Sequence, residues 1–162
     1  MILNYPDTPP RDLSHEVEAG DIIWYRLNGR VAPVMAKVLG LPGPGKASVI
    51  VRNSNEAYTV EADEWRYFEP CPLHTQVIHL LGFADDEEEA AWGWCIHHFH
   101  LVRDGCHYVL AREEGRWALY ACREKDGEAV CDEYTGFWNA HELQQLLRLI
   151  GSPEGDTGNA LR

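Results

Sequence analysis

The chain is poor in positive charge and has no long apolar run. Its 14 Lys and Arg stand against 26 Asp and Glu, a formal net charge of -12 over 162 residues. That balance opposes direct binding to nucleic acid or an anionic membrane, because phosphate is repelled rather than neutralised. No apolar stretch reaches the roughly 20 residues that a spanning helix needs. Nor does a basic segment followed by an apolar one open the sequence, so neither a membrane span nor an export leader is expected, and a cytoplasmic location is. Five cysteines, an odd number, predict reduced thiols there rather than a disulfide framework.

Catalytic signatures are also missing. There is no nucleophile elbow, phosphate-cradling glycine loop, paired-histidine metalloprotease helix or dinucleotide fingerprint. Gly40, Gly43 and Gly45 are interrupted by Pro42 and Pro44 and read as a turn. Carboxylates are plentiful, but none forms a pair with visibly divergent surroundings. These motifs give no reason to expect an enzyme.

What is present argues for a folded protein. Hydrophobic residues make up 45% of the chain and six are Trp, more than a disordered sequence carries. The charge is uneven. Residues 1–75 hold 7 basic and 10 acidic side chains (-3), and residues 76–162 hold 7 and 16 (-9). An acidic second half suits a basic partner, or a surface presenting carboxylates where DNA presents phosphates; a plain solvated surface is the simpler alternative.

The second half is organised around four strand-like runs: Trp94 to Val102, Cys106 to Arg112, Arg116 to Arg123 and Glu128 to Glu133. Asp104-Gly105, Glu114-Gly115 and Asp126-Gly127 separate them, dipeptides suited to two-residue hairpin turns. Two-residue loops place Val102 opposite His107, His107 opposite Cys122, and Cys122 opposite Cys131. Alternation then puts His98, His100, His107, Cys122 and Cys131 on one face of a β-meander. Phe99, Leu101, Tyr108, Leu110, Trp117 and Leu119 fall on the other. Asn139-Ala-His-Glu142 has the form of a capping box, and Leu143, Leu146, Leu147 and Ile150 follow at helical spacing before Gly151. The helix is expected to cover the apolar face of the meander.

The first half reads as short strands: Ile22 to Leu27, Val31 to Leu41, Ala47 to Arg52, Ala57 to Val60 and Trp65 to Phe68. Asn28-Gly29 marks a hairpin, Pro42 to Gly45 a loop outside any strand, and Asn53-Ser-Asn55 a turn. Gly20-Asp21 before the aromatic strand Ile22-Ile-Trp-Tyr-Arg26, then Met35-Ala-Lys-Val38, Val49-Ile-Val51 and a closing aromatic strand, resembles the SH3-like small barrels, including Tudor, chromo-like and KOW modules. The resemblance covers roughly residues 15–70 and implies a binding module for proline-rich or methylated peptides or nucleic acid; the basic stripe for the last is missing. Trp24, Tyr25, Tyr58, Trp65 and Tyr67 either line an aromatic groove or cage, or fill and cap a small core.

The expected organisation is α+β and mostly β: an irregular arm over 1–14, the barrel over 15–70, the meander with its helix over 71–151, and a flexible tail over 152–162. Cys71-Pro-Leu-His74 marks the junction. Gln76 to Phe83 reads as a strand, and Asp85-Asp86-Glu87-Glu88-Glu89 as the capped first turn of a short helix. That acidic run is either a solvated face or a docking site for a basic partner.

The chemistry-bearing cluster is the histidine-cysteine face. Imidazole and thiolate are zinc ligands, so His98, His100 and His107 suggest an open hydrolytic zinc site. His100, His107, Cys122 and Cys131 suggest a closed structural one. The leading expectation is a small acidic, non-catalytic adaptor or inhibitor acting on a basic, nucleic-acid-handling protein, as phages and mobile elements encode. A zinc-binding domain or hydrolase, and a peptide-recognition module using the barrel aromatics, are the alternatives.

Overall fold

A computed structural model of the protein describes residues 13–26, 32–85 and 98–151. The chain divides into two compact units, Met1–Cys71 and Pro72–Arg162. Each is built on one five-stranded antiparallel sheet, so the protein is mostly β with few helices.

In the first unit the strands are β1 (Ile22–Tyr25), β2 (Val34–Gly43), β3 (Lys46–Val51), β4 (Ala57–Val60) and β5 (Phe68–Pro70), in the order β4-β3-β2-β1-β5. Among the described residues β4 and β5 do not pair, so the sheet is open rather than a closed barrel. Its core is Ile23, Ala36, Val38, Ala47, Val49, Val60, Trp65 and Phe68, closed by Leu13 and Val17. The entry to β1 is fixed by Gly20, whose φ of +94° suits glycine and whose N–H donates to Val38 O at 2.7 Å. Buried Asp21 accepts the Glu18 N–H at 2.8 Å, which satisfies its carboxylate locally.

Three local expectations in and after this unit are corrected. Pro42 and Gly43, expected in a loop, belong to β2, and the turn narrows to Pro44 and Gly45. Register shifts after Val38 and Gly40 let the strand run past the core without a regular ladder, so the proline's missing N–H is tolerated. Ala62–Tyr67 is a 3₁₀ helix, not the start of the last strand. Asp63 and Glu64 in its first turn, with Glu64 accepting the Glu61 N–H at 3.3 Å, favour a helical start that the aromatic pattern concealed. Gln76 to Phe83, read as a strand, instead contains most of helix α1 (Thr75–Leu80). Val77, Ile78 and Leu81 are all buried, and one helical face accommodates them as well as a short strand would.

The second sheet contains β6 (Ala84–Asp85), β7 (His98–Arg103), β8 (Cys106–Glu113), β9 (Arg116–Lys125) and β10 (Glu128–Tyr134), in the order β10-β9-β8-β7-β6. The meander register is the expected one: Val102 pairs with His107, His107 with Cys122, and Cys122 with Cys131. It follows from the turns. Asp104, Gly105, Glu114, Gly115, Asp126 and Gly127 all have φ between 50° and 82°, so each hairpin turns on two left-handed residues with no inserted bulge. Phe99, Tyr108, Leu110, Trp117 and Leu119 are buried on the face assigned to the core, and Leu101 is half-buried.

Helix α2 (Ala140–Ile150) starts at Asn139, whose Nδ2 donates to Glu142 Oε1 at 2.7 Å. Its buried side chains are Ala140, His141, Leu143, Gln144 and Leu147; Leu146 and Ile150 are half-buried. Its last turn meets the apolar face of the meander, where Arg123 donates to Ile150 O at 2.8 Å. Gly151 ends the helix because a Cβ there would lie 2.6 Å from Leu147 O and 3.1 Å from the Tyr108 hydroxyl.

The arm up to residue 12, the Asn28-Gly29 hairpin, Trp94 at the start of the first meander run, Asp86 and Glu87 to Glu89, and the tail from 152 lie outside the described residues. Among the described residues no helix is long and apolar enough to cross a membrane.

Candidate functional site

The face of the meander opposite its core carries most of the expected site residues. His98 lies across from Ala111, His100 from Val109, and His107 between Val102 and Cys122. The rings of His100 and His107 meet edge to face with centroids 5.8 Å apart. His98 is not drawn to the same point. Its row is four residues along β8 from His107, roughly 13 Å at strand spacing.

The two cysteines are joined to each other. Cys122 and Cys131 form a disulfide across β9 and β10, with Cα atoms 4.1 Å apart. This corrects the expectation of thiols throughout, and it takes both sulfurs out of a ligand set. Among the described residues, no three His, Cys, Asp or Glu side chains converge where they could hold a metal ion. Nothing in the sequence signals the bond beyond the register, which sets the two cysteines directly opposite. The narrow Cα separation is that of a pair without ladder hydrogen bonds. The N–H and C=O groups of Cys131, and by alternation of Ala129 and Glu133, therefore point away from β9, toward the side where no strand pairs among the described residues.

Two of the other cysteines are shielded. Cys71 and Cys106 are buried thiols outside the disulfide, and burial pushes the Cys71 pKa up to about 12. Cys106 shares hydrogen bonds with Tyr108 and Arg123, and these bonds, Cys106 first, raise the Arg123 pKa and keep it cationic at the carbonyl end of α2. This polar clasp had no signature in the sequence, since it depends on where the helix ends.

The histidine face also carries an acidic group that the motifs did not single out. Tyr120 donates its hydroxyl to Glu113 at 3.3 Å. Burial, then Glu113 and Glu133, raise its pKa. β10 itself is exposed from Glu128 to Glu133, and both its faces are open to solvent there.

The acidic run after α1 is represented only by Asp85. It belongs to β6 rather than to a helix cap, and its Oδ1 lies 3.2 Å from His79 Nε2.

In the first unit the aromatic residues separate. Tyr25, Tyr58 and Trp65 gather around Phe68, expected only as the end of a strand, at centroid distances of 5.1, 6.4 and 5.8 Å. Trp65 is buried and its Nε1 donates to Gly45 O at 2.8 Å. Tyr58 is half-buried, and burial, followed by Tyr25 and Glu64, pushes its pKa well up. Tyr67 packs at the edge with the Arg66 guanidinium 4.8 Å from its ring. Trp24, one residue from Tyr25, projects to the opposite side of the sheet. Four rings thus serve mainly as packing, and the five do not form one groove.

No known protein family, curated protein or solved structure matches this chain.

Proposed function

We propose that the protein is a small acidic, non-catalytic binding protein that acts on a basic, nucleic-acid-handling partner. The observation that carries the reading is strand β10. Among the described residues it is a sheet edge that no other strand pairs with, solvent-exposed over Glu128 to Glu133, and it holds Glu128, Asp132 and Glu133. Outward-facing backbone groups at Ala129, Cys131 and Glu133 can pair with an extended segment, and the carboxylates select a basic one. The charge of -9 over residues 76–162 adds long-range attraction for a cationic surface.

The test is titration of the full chain with a fluorescent arginine-rich peptide at low and high salt. Binding at low salt, weakened about tenfold or more by Glu128→Gln, Asp132→Asn and Glu133→Gln together, supports the reading. No binding at low salt, or equal binding by the triple variant, refutes the assignment to this edge.

The sheet order β4-β3-β2-β1-β5, with a 3₁₀ helix leading into β5, supports an SH3-like reading of the first unit. Peptide recognition there is the second reading. It is favoured by Tyr25 and Tyr58, half-buried rings 6.4 Å apart at 67° on the core margin. A change in Trp fluorescence on adding proline-rich or methyl-lysine peptides, abolished by Tyr25→Ala, tests it.

A further inference from the structure

The disulfide stands where exchange chemistry needs it, and the cysteines elsewhere among the described residues do not. We propose that Cys122–Cys131 is a reversible thiol–disulfide exchange site, entered at Cys131 and selective for cationic thiols. The inference rests on the bond and its neighbours, and is independent of the partner reading above.

Attack on a disulfide occurs in line with the sulfur–sulfur axis, so access to one sulfur is decided by what lies beyond it. Beyond Cys131, on the side away from Cys122, the sheet has no further strand among the described residues, and Cys131 is exposed. Beyond Cys122 lies His107 on β8, and Cys122 is half-buried. Cys71 and Cys106 are buried and have no disulfide to exchange. Entry at Cys131 follows.

The electron count is simple. An incoming thiolate sulfur bonds to Cys131 Sγ, the Cys122–Cys131 bond breaks, and its electron pair leaves on Cys122 Sγ. That thiolate forms beside His107, with His100 in ring contact behind it, and takes up the proton that the incoming thiol released. A second thiol then attacks the mixed disulfide, releasing the Cys131 thiol and a small disulfide. The protein gains two electrons and two protons, and two thiols are oxidised to one disulfide.

The substrate class comes from charge. On the same face as Cys131, Glu133 stands two residues along the strand, and Glu124 is diagonal to it on β9. Both are exposed. A thiol carrying an amine, or a cysteine in a basic segment, is drawn to this point, and an anionic thiol is repelled.

The experiment uses the oxidised full chain and three probes: cysteamine, 2-mercaptoethanol and 2-mercaptoethanesulfonate. Reduction of the Cys122–Cys131 bond is followed by alkylation and peptide mass spectrometry. Each rate is divided by that thiol's rate on hydroxyethyl disulfide, which removes its intrinsic reactivity. The expected result is a cysteamine-to-sulfonate ratio of about tenfold at low ionic strength. It should collapse at high salt and in Glu124→Gln with Glu133→Gln. Cystamine, the disulfide of cysteamine, should exchange onto the Cys131 thiol of Cys122→Ser faster than onto the Cys122 thiol of Cys131→Ser, releasing cysteamine each time.

Three results would overturn the proposal: a purified chain lacking the bond, a bond that resists excess dithiothreitol while the chain stays folded, or equal corrected rates for all three thiols. The thiol series is run on the wild-type chain, so it decides the matter even if a variant fails to fold.

Discussion

Trp65 and Gly45 are joined across twenty residues of sequence by a 2.8 Å hydrogen bond from the indole Nε1 to the glycine carbonyl. The bond ties the 3₁₀ helix to the tip of the β2–β3 hairpin, and the indole ring beneath it is part of the first core. A single side chain thus links the 3₁₀ helix to the hairpin tip.

Trp65→Phe keeps most of the apolar volume and loses the donor, and should cost about 1–2 kcal/mol. Trp65→Ala also opens a cavity and should cost about 3–5 kcal/mol. Denaturant unfolding of both variants, followed by circular dichroism, measures the two. A Trp65→Phe loss near zero would mean that the hydrogen bond contributes nothing of its own.

At the far end of the chain, Gly151→Ala places a methyl group against Leu147 O and the Tyr108 hydroxyl. The last turn of α2 must then shift away from the meander, at a cost of about 1–3 kcal/mol. Its φ of -89° is open to alanine, so the loss is one of space rather than of backbone conformation. Faster amide exchange across α2, measured by mass spectrometry, is the expected sign.

Glu114 takes a φ of +51° at the first position of the β8–β9 turn, where a γ-carboxylate brings no local advantage. Glu114→Asn installs the Asn-Gly pair favoured in such turns and should stabilise the chain by about 0.5–1 kcal/mol. Thermal unfolding should shift upward, and an unchanged or lower midpoint would contradict the turn assignment.

The Cys71 thiol, held up to about 12 by burial, stays neutral in the folded chain while its unfolded counterpart ionises near pH ~8.5. Its contribution to stability is therefore complete below the unfolded value. It is lost as pH rises from there toward about 12, with a slope approaching ~1.4 kcal/mol per pH unit. Tyr58, also raised by burial, acts in the same direction. Cys71→Ala should make the alkaline decline of stability shallower, as read from urea midpoints across that range.

Much of the second sheet was legible in the sequence. Three turn dipeptides fixed the hairpins, and a side-chain period of two then set His107, Cys122 and Cys131 in one row, because each loop length leaves only one register without a bulge. Asn139 with Glu142, and Gly151, fixed the limits of α2 through local hydrogen bonding and local space. Charge alone raised the expectation of a basic partner.

Tertiary structure decided what these local rules leave open. Val77, Ile78 and Leu81 are compatible with a strand or a helix, and only the surface that receives them selects the helix. The aromatic residues of the first unit could have lined a groove, but packing around Phe68 turned most of them inward. Opposition placed Cys122 and Cys131 side by side, yet whether their sulfurs bond to each other or to a metal depends on which groups converge above the sheet, a three-dimensional condition that linear spacing does not encode.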